Sequence, residues 1–166
     1  MLKGVDNLVL IALIEWGRRF GTQAALAEAL QLAPANLSRS LQRLYLARLI
    51  QHHDLSPTAP HVEEYLFHGL RYIFPAHLGS RVRGVPTAHS APPLADQLSA
   101  GDTIVWAAEF GTSSGQALPP LHGNIPALCV AHPELHPTFA LLDAIRLGPA
   151  RERKLAQHYL AAWLNP

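Results

Sequence analysis

The amino-acid sequence predicts a mainly α-helical chain of the α+β class, in which a three-helix N-terminal unit precedes a helical C-terminal unit carrying a small β-hairpin. Three observations predict it. Apolar residues recur at intervals of three and four over most of the first fifty residues and again beyond residue 124. Breakers such as Gly21, Pro75 and Gly148-Pro149 cut these stretches into short helices. Between them, Asp102-Thr-Ile-Val-Trp-Ala-Ala followed by Gly111-Thr-Ser-Ser-Gly115 has the composition of a strand and a turn.

Asp6 or Asn7 caps a first helix that runs to about Phe20, with Leu8, Ile11, Ala12, Ile14 and Trp16 forming a wide apolar face and Gly21 ending it. Thr22 caps a second helix that turns Leu26, Ala27 and Leu30 inward and Glu28 outward. A third begins near Pro34, a residue suited to a first helical turn, and passes through Leu37, Leu41, Leu44 and Leu46 to about Leu49. The segment from Ile50 to Pro60 is polar, holds Pro57 and Pro60, and reads as a turn or linker with at most one short strand. Val62, Tyr65, Leu66, Leu70 and Ile73 define a helix from Pro60 to about Phe74, with Glu63 and Glu64 in the first turn, where the helix dipole favours carboxylates. Residues 75–101 contain four prolines and three glycines and are expected to be irregular. Asp102 to Ala108 and Gln116 to Leu118 are the strands of the hairpin. A helix opens at Asn124-Ile-Pro, another spans Pro133 to about Arg146 with Leu135, Phe139, Leu142 and Ile145 along one side, and the last covers Arg151 to Leu164 with Leu155, Tyr159, Ala162 and Trp163.

Of the 166 residues 49% are apolar and 15% charged, so considerable surface is available for burial and a subunit interface is expected. The net charge of +1 is unevenly spread. Residues 1–51 hold six Lys and Arg against three carboxylates, while residues 52–166 hold seven against nine. The basic half is also the half with the helical trio. Cys129 is the single cysteine, which excludes an intrachain disulfide and makes a cytoplasmic location the expectation. The start lacks the apolar run of a signal peptide, and no stretch approaches the roughly 20 apolar residues of a membrane helix.

Within Gln23 to Gln42 the residues meet the demands of a helix-turn-helix. Ala27 is the small residue where two helices approach, Leu30 and Leu32 bracket the turn, and Leu37 and Leu41 face the core. Asn36, Ser38, Arg39, Gln42 and Arg43 are then free to face outward. Arg can fork onto guanine, Asn or Gln can pair with adenine, and Ser or Arg can hold phosphates. Arg39 and Gln42 are the candidates for bases, with Arg43 for phosphate. Thr22 and Gln23 at the start of the preceding helix are further DNA-binding candidates, and so are His52 and His53 after the third, which could approach phosphate. A plain helical bundle is the alternative, and Arg18 and Arg19 fit a helix-dipole role as well as phosphate contact.

The segment Leu26-Ala-Glu-Ala-Leu-Gln-Leu-Ala-Pro-Ala-Asn-Leu-Ser-Arg-Ser-Leu-Gln-Arg-Leu resembles the core of MarR-type winged helix-turn-helix regulators, over roughly residues 6–53. The resemblance implies a recognition helix at 34–49 in the major groove, a β-hairpin wing at the minor groove, and a homodimer on a near-palindromic operator. Gln31 stands where that family's turn commonly has glycine, and no clear second wing strand follows Ile50-Gln-His-His. A fainter similarity, through Phe67-His-Gly-Leu-Arg-Tyr-Ile-Phe-Pro and Arg83-Gly-Val-Pro-Thr-Ala-His-Ser-Ala-Pro-Pro-Leu, is to abortive-infection type antitoxin regulators. It implies an autoregulated operon and a protein partner encoded nearby.

Gly79-Ser-Arg-Val-Arg-Gly84 reads as a glycine-flanked basic loop in which Arg81 and Arg83 could hold an anion, or pair with local carboxylates. Its pattern is neither a P-loop nor a dinucleotide fingerprint. His132 and His136 have the i, i+4 spacing of a zinc pair, but Pro133 intervenes and no acidic third ligand stands at a set spacing, so no metal and no other cofactor is expected. Cys129 in Leu128-Cys-Val reads as a buried thiol, and Trp106, Phe139, Tyr159 and Trp163 as core or dimer interface.

The expectation is therefore a winged or wing-reduced helix-turn-helix domain over 1–56 and a dimerisation, partner- or effector-binding unit over 57–166. The chain would bind double-stranded DNA as a homodimeric repressor rather than act as an enzyme, with the last helix as first candidate for the dimer interface. The alternative is an antitoxin-like module that neutralises a partner enzyme.

Overall fold

The computed structural model describes residues 1–98 and 101–166 as a mixed α+β fold; positions 99 and 100 of the expected irregular stretch lie outside the described residues. Helix α1 (Gly4–Trp16) is its axis. Leu8 to Leu13 are all buried: α1 packs on α3 and on the turn that carries Leu135, within one continuous apolar cluster. The apolar face expected there is in fact a whole circumference. Asp6 and Asn7 are not caps: Lys3 is the N-cap, and both polar side chains are buried. Asp6 occupies N3 and accepts the Lys3 amide at 2.6 Å, one arm of a capping box. The helix ends at Gly17 rather than Gly21, since Gly17 takes φ 54° and its amide returns to the Leu13 carbonyl.

Helices α2 (Gln23–Ala29) and α3 (Pro34–Leu46) follow, with Leu26, Ala27, Leu30, Leu37, Leu41 and Leu44 buried against each other and α1. Both helices close in the same way. After α2 the Leu32 amide reaches the Ala27 carbonyl and the Gln31 amide that of Glu28, with Gln31 at φ 54°. After α3 the Leu49 amide reaches Leu44 and the Arg48 amide Tyr45, with Arg48 at φ 61°, so α3 stops short of Leu49. These are Schellman motifs whose left-handed position, usually glycine, holds a long polar side chain. Residues 51–56 then form a turn pinched by one antiparallel bridge, Ile50↔Pro57.

Helix α4 (Ala59–Glu64), a π-helical turn (Tyr65–Gly69) and α5 (Leu70–Ile73) run on without a break and bury Val62, Leu66 and Leu70 as the spacing predicts. The stretch expected to be irregular contains a strand, β1 (Arg81–Pro86), so Arg81 and Arg83 stand on a strand and not in a loop. Only Val82 and Val85 carry the apolar signal of this strand, between two arginines and a proline.

The expected hairpin is also absent. Strands β2 (Ile104–Ala107) and β3 (Ser113–Ala117) pair in parallel, and β1 is antiparallel to both, which closes a three-stranded unit. Glycines permit the crossing. A Cβ at Gly111 would collide with the Gly84 backbone, and one at Gly84 with the Trp106 carbonyl.

Helix α6 (Ile125–Ala131), a short 3₁₀ turn (Pro133–Leu135), α7 (His136–Leu147) and α8 (Ala150–Leu164) complete the chain. Asp143 of α7 is buried and ties the sheet to the helices: it accepts from Thr87 Oγ1, Trp106 Nε1 and Arg146 Nη1, each at 2.7 Å. Burial pushes its carboxyl above the ordinary range, against the pull of Arg146 and the two neutral donors. Arg146 also donates to the Phe74 and Pro119 carbonyls. The expected boundary at 56/57 falls just after the 51–56 turn, and one continuous cluster of buried residues lies on both sides of it. Among the described residues no helix is long and apolar enough to cross a membrane.

Candidate nucleic-acid interface

The outward stripe of α3 is built by elimination. Leu37, Ser40, Leu41 and Leu44 turn inward at helical spacing, which leaves Asn36, Ser38, Arg39 and Gln42 exposed. Arg39 Nη1 lies 3.3 Å from Asn36 Oδ1, so the two side chains share one edge of the helix. No carboxylate pairs with Arg39 among the described residues.

Arg43 departs from the expectation. It is not a free cation on this stripe but turns back to Asp6, donating from Nε at 2.9 and 3.1 Å and from Nη2 at 2.8 Å. Ser40 Oγ adds a fourth hydrogen bond at 2.7 Å. The carboxylate was drawn inside by α1, and Arg43 is the cation within its reach; that hydrogen bond holds the guanidinium above its ordinary range. Its side chain is 20% exposed, which removes it as a freely moving phosphate clamp.

Thr22 and Gln23 are exposed at the start of α2, though the Thr22 hydroxyl is engaged as a cap, accepting the Ala25 amide at 3.1 Å. His52 and His53 are exposed on the 51–56 turn, where His52 packs edge-on to Tyr45 and His53 lies 3.5 Å from Asp54. Two hydrogen bonds from Ser56 hold the Asp54 carboxyl below its ordinary value. These four candidates and Arg18 surround one hollow of about 560 Å³ between the end of α1, the start of α2 and the turn. Arg18 itself is 83% exposed and reaches Asp54 at 3.7 Å.

Arg81 and Arg83 are exposed on β1, an element apart from α3; Arg81 donates to the Ser114 carbonyl and an open hollow beside Arg83 is shared with Glu109. His132 and His136 point at different partners, His132 at Glu134 and Trp16, His136 at the Pro86 carbonyl and Trp106. Among the described residues no three His, Cys, Asp or Glu side chains gather as a metal site.

The helix expected as first candidate for a dimer interface packs one face inside the protein. Ala156 and Leu160 of α8 are buried, and Tyr159 and Trp163 are half-buried in the same core, with Trp163 Nε1 donating to Glu15 at 2.8 Å. What α8 turns outward is Arg151, Lys154, His158 and Ala162, a polar face.

One residue that sequence reasoning missed is Asn124, whose amide donates to the carbonyls of Leu30 at 3.2 Å and Gln31 at 3.1 Å. It steadies the turn between α2 and α3 from the far half of the chain. Its local signal, Asn before Ile-Pro, pointed to a helix cap, a role its side chain does not fill. No protein family, curated protein or solved structure matches the chain.

Proposed function

We propose that the chain binds duplex DNA, with α2 and α3 as a helix-turn-helix and α3 as the recognition helix. The observation that carries the reading is the exposed stripe Asn36, Ser38, Arg39 and Gln42, a set of groove-compatible donors and acceptors raised on a rigid three-leucine base. The turn at 51–56, closed by the single bridge Ile50↔Pro57, serves as a reduced wing and carries His52 and His53 toward the backbone. The family reading, a MarR-like regulator acting as a homodimeric repressor, is the proposal that accounts for this arrangement. Two heads about 34 Å apart would read successive major grooves.

Selection of bound sequences from random DNA is the experiment that tests it. An enriched, near-palindromic motif is expected, with Arg39→Ala relaxing one base position at a cost of about 1–3 kcal/mol. Recovery of no motif, with wild type and Arg39→Ala bound alike, would overturn the reading. A protein-binding, antitoxin-like role is the second reading, favoured by Tyr72, Ile73 and Leu78, which are 75%, 45% and 40% exposed after the π turn.

A further inference from the structure

Beside the N-terminal half of α3 lies a recess of about 220 Å³, bordered by Lys3, Asn36, Arg39, Arg43 and His122. The first residues of the chain, the middle of α3 and the loop before α6 meet there. The charge balance of this recess is unequal. Asp6 is its neighbouring carboxylate, and Asp6 is already answered by the Arg43 guanidinium, the Ser40 hydroxyl and the Lys3 amide. Lys3 and Arg39 remain, and neither has a carboxylate partner among the described residues.

His122 also borders the recess. Its Nδ1 accepts the Asn124 amide at 3.1 Å, which assigns the proton of the neutral ring to Nε2. Burial lowers the His122 pKa, which favours the neutral ring. Asn36 can donate through its amide while its oxygen stays on Arg39. Two unanswered cations, a neutral imidazole and a carboxamide around one hollow suit a tetrahedral dianion, with Val5 and Leu32 as its apolar wall.

We infer that this recess seats a phosphate group, held by Lys3, Arg39 and His122. As a phosphate of the DNA backbone it deepens, and rests on, the duplex reading above; as the phosphate of a small molecule it does not. A backbone phosphate there would fix the register of α3, because Asn36 and Arg39 belong both to the recess and to the outward stripe.

Two measurements on the full chain test this. In the first, ¹⁵N- and ¹³C-labelled protein is titrated with inorganic phosphate against chloride at matched ionic strength, following the His122 ring resonances. In the second, affinity for labelled duplexes of several sequences is measured across a salt series. Lys3→Gln and His122→Gln are compared with wild type in both, Lys3 being an exposed side chain whose loss leaves the core intact. Lys3→Gln is expected to weaken every duplex alike and to lower the salt slope by about one. Saturable phosphate shifts lost in Lys3→Gln, with no duplex bound by wild type, would keep the recess and assign it a phosphorylated small molecule, while the duplex reading fails. Duplex binding unchanged by both substitutions, with His122 unmoved by phosphate, would overturn the recess and leave the duplex reading standing.

Discussion

The guanidinium of Arg43 and the carboxylate of Asp6 form a two-pronged pair that bolts α3 to the start of α1. Asp6 is 1% exposed and shares its oxygens with Ser40 and the Lys3 amide as well. The pair is a polar tie beside Leu37, Leu41 and Leu44, the buried residues that turn the opposite face of α3 outward.

Removing one partner leaves the other charge without its main answer. Arg43→Ala is expected to destabilise the fold by about 2–4 kcal/mol, below the full cost of breaking a buried pair because the arginine is partly solvated and Asp6 keeps two donors. Urea denaturation would show it as a lower midpoint. A midpoint equal to wild type would mean that the pair contributes nothing to holding α3.

Gln31 and Asn124 act on the same turn in opposite senses. Gln31 is in the left-handed region at φ 54°, which costs a side-chain-bearing residue about 1–2 kcal/mol, partly offset by the greater freedom glycine has when unfolded. Gln31→Gly should therefore stabilise by about 0.5–1 kcal/mol. Asn124→Ala should cost about 1–2 kcal/mol, since it leaves the Leu30 and Gln31 carbonyls without that donor. Thermal melts of the two variants should shift in opposite directions.

His122 gives a pH dependence whose sign is set by burial. The folded chain keeps the ring neutral to a lower pH than the unfolded chain, whose histidine takes up a proton near 6.5. The contribution is present above that value and is lost as pH falls from about 6.5 through the lower folded pKa. The wild-type urea midpoint should thus drop more steeply than that of His122→Gln between about pH 7 and 5. Parallel curves would remove His122 from the account.

Cys129 is 3% exposed in α6, and burial pushes its thiol up to about 12. Too little thiolate forms at neutral pH for attack on an aromatic disulfide reagent. Modification should track global unfolding, slow in buffer and immediate in denaturant. Rapid labelling of the native protein would show that α6 opens by itself.

Much of the helical order was legible because apolar spacing and breakers are local signals. Leu37, Leu41 and Leu44 of α3, the small residue Ala27, the Thr22 cap and Val62, Leu66 and Leu70 stand where the spacing puts them, while Leu46 and Ile73 of the same patterns are exposed. The strands were less legible. β1 has two valines to announce it, and the direction of β3 depends on Gly84 and Gly111 passing backbone to backbone, a relation between residues far apart in the chain.

The same division holds at the candidate interface. The chain alone determined that Asn36, Ser38, Arg39 and Gln42 share the polar side of an amphipathic helix, because helical periodicity assigns faces without reference to anything else. Only the tertiary structure decided that Arg43 leaves that side for Asp6, and that Lys3 and His122 arrive beside it. A buried carboxylate must find its cation wherever packing has put one, and periodicity holds no record of which carboxylates packing will bury.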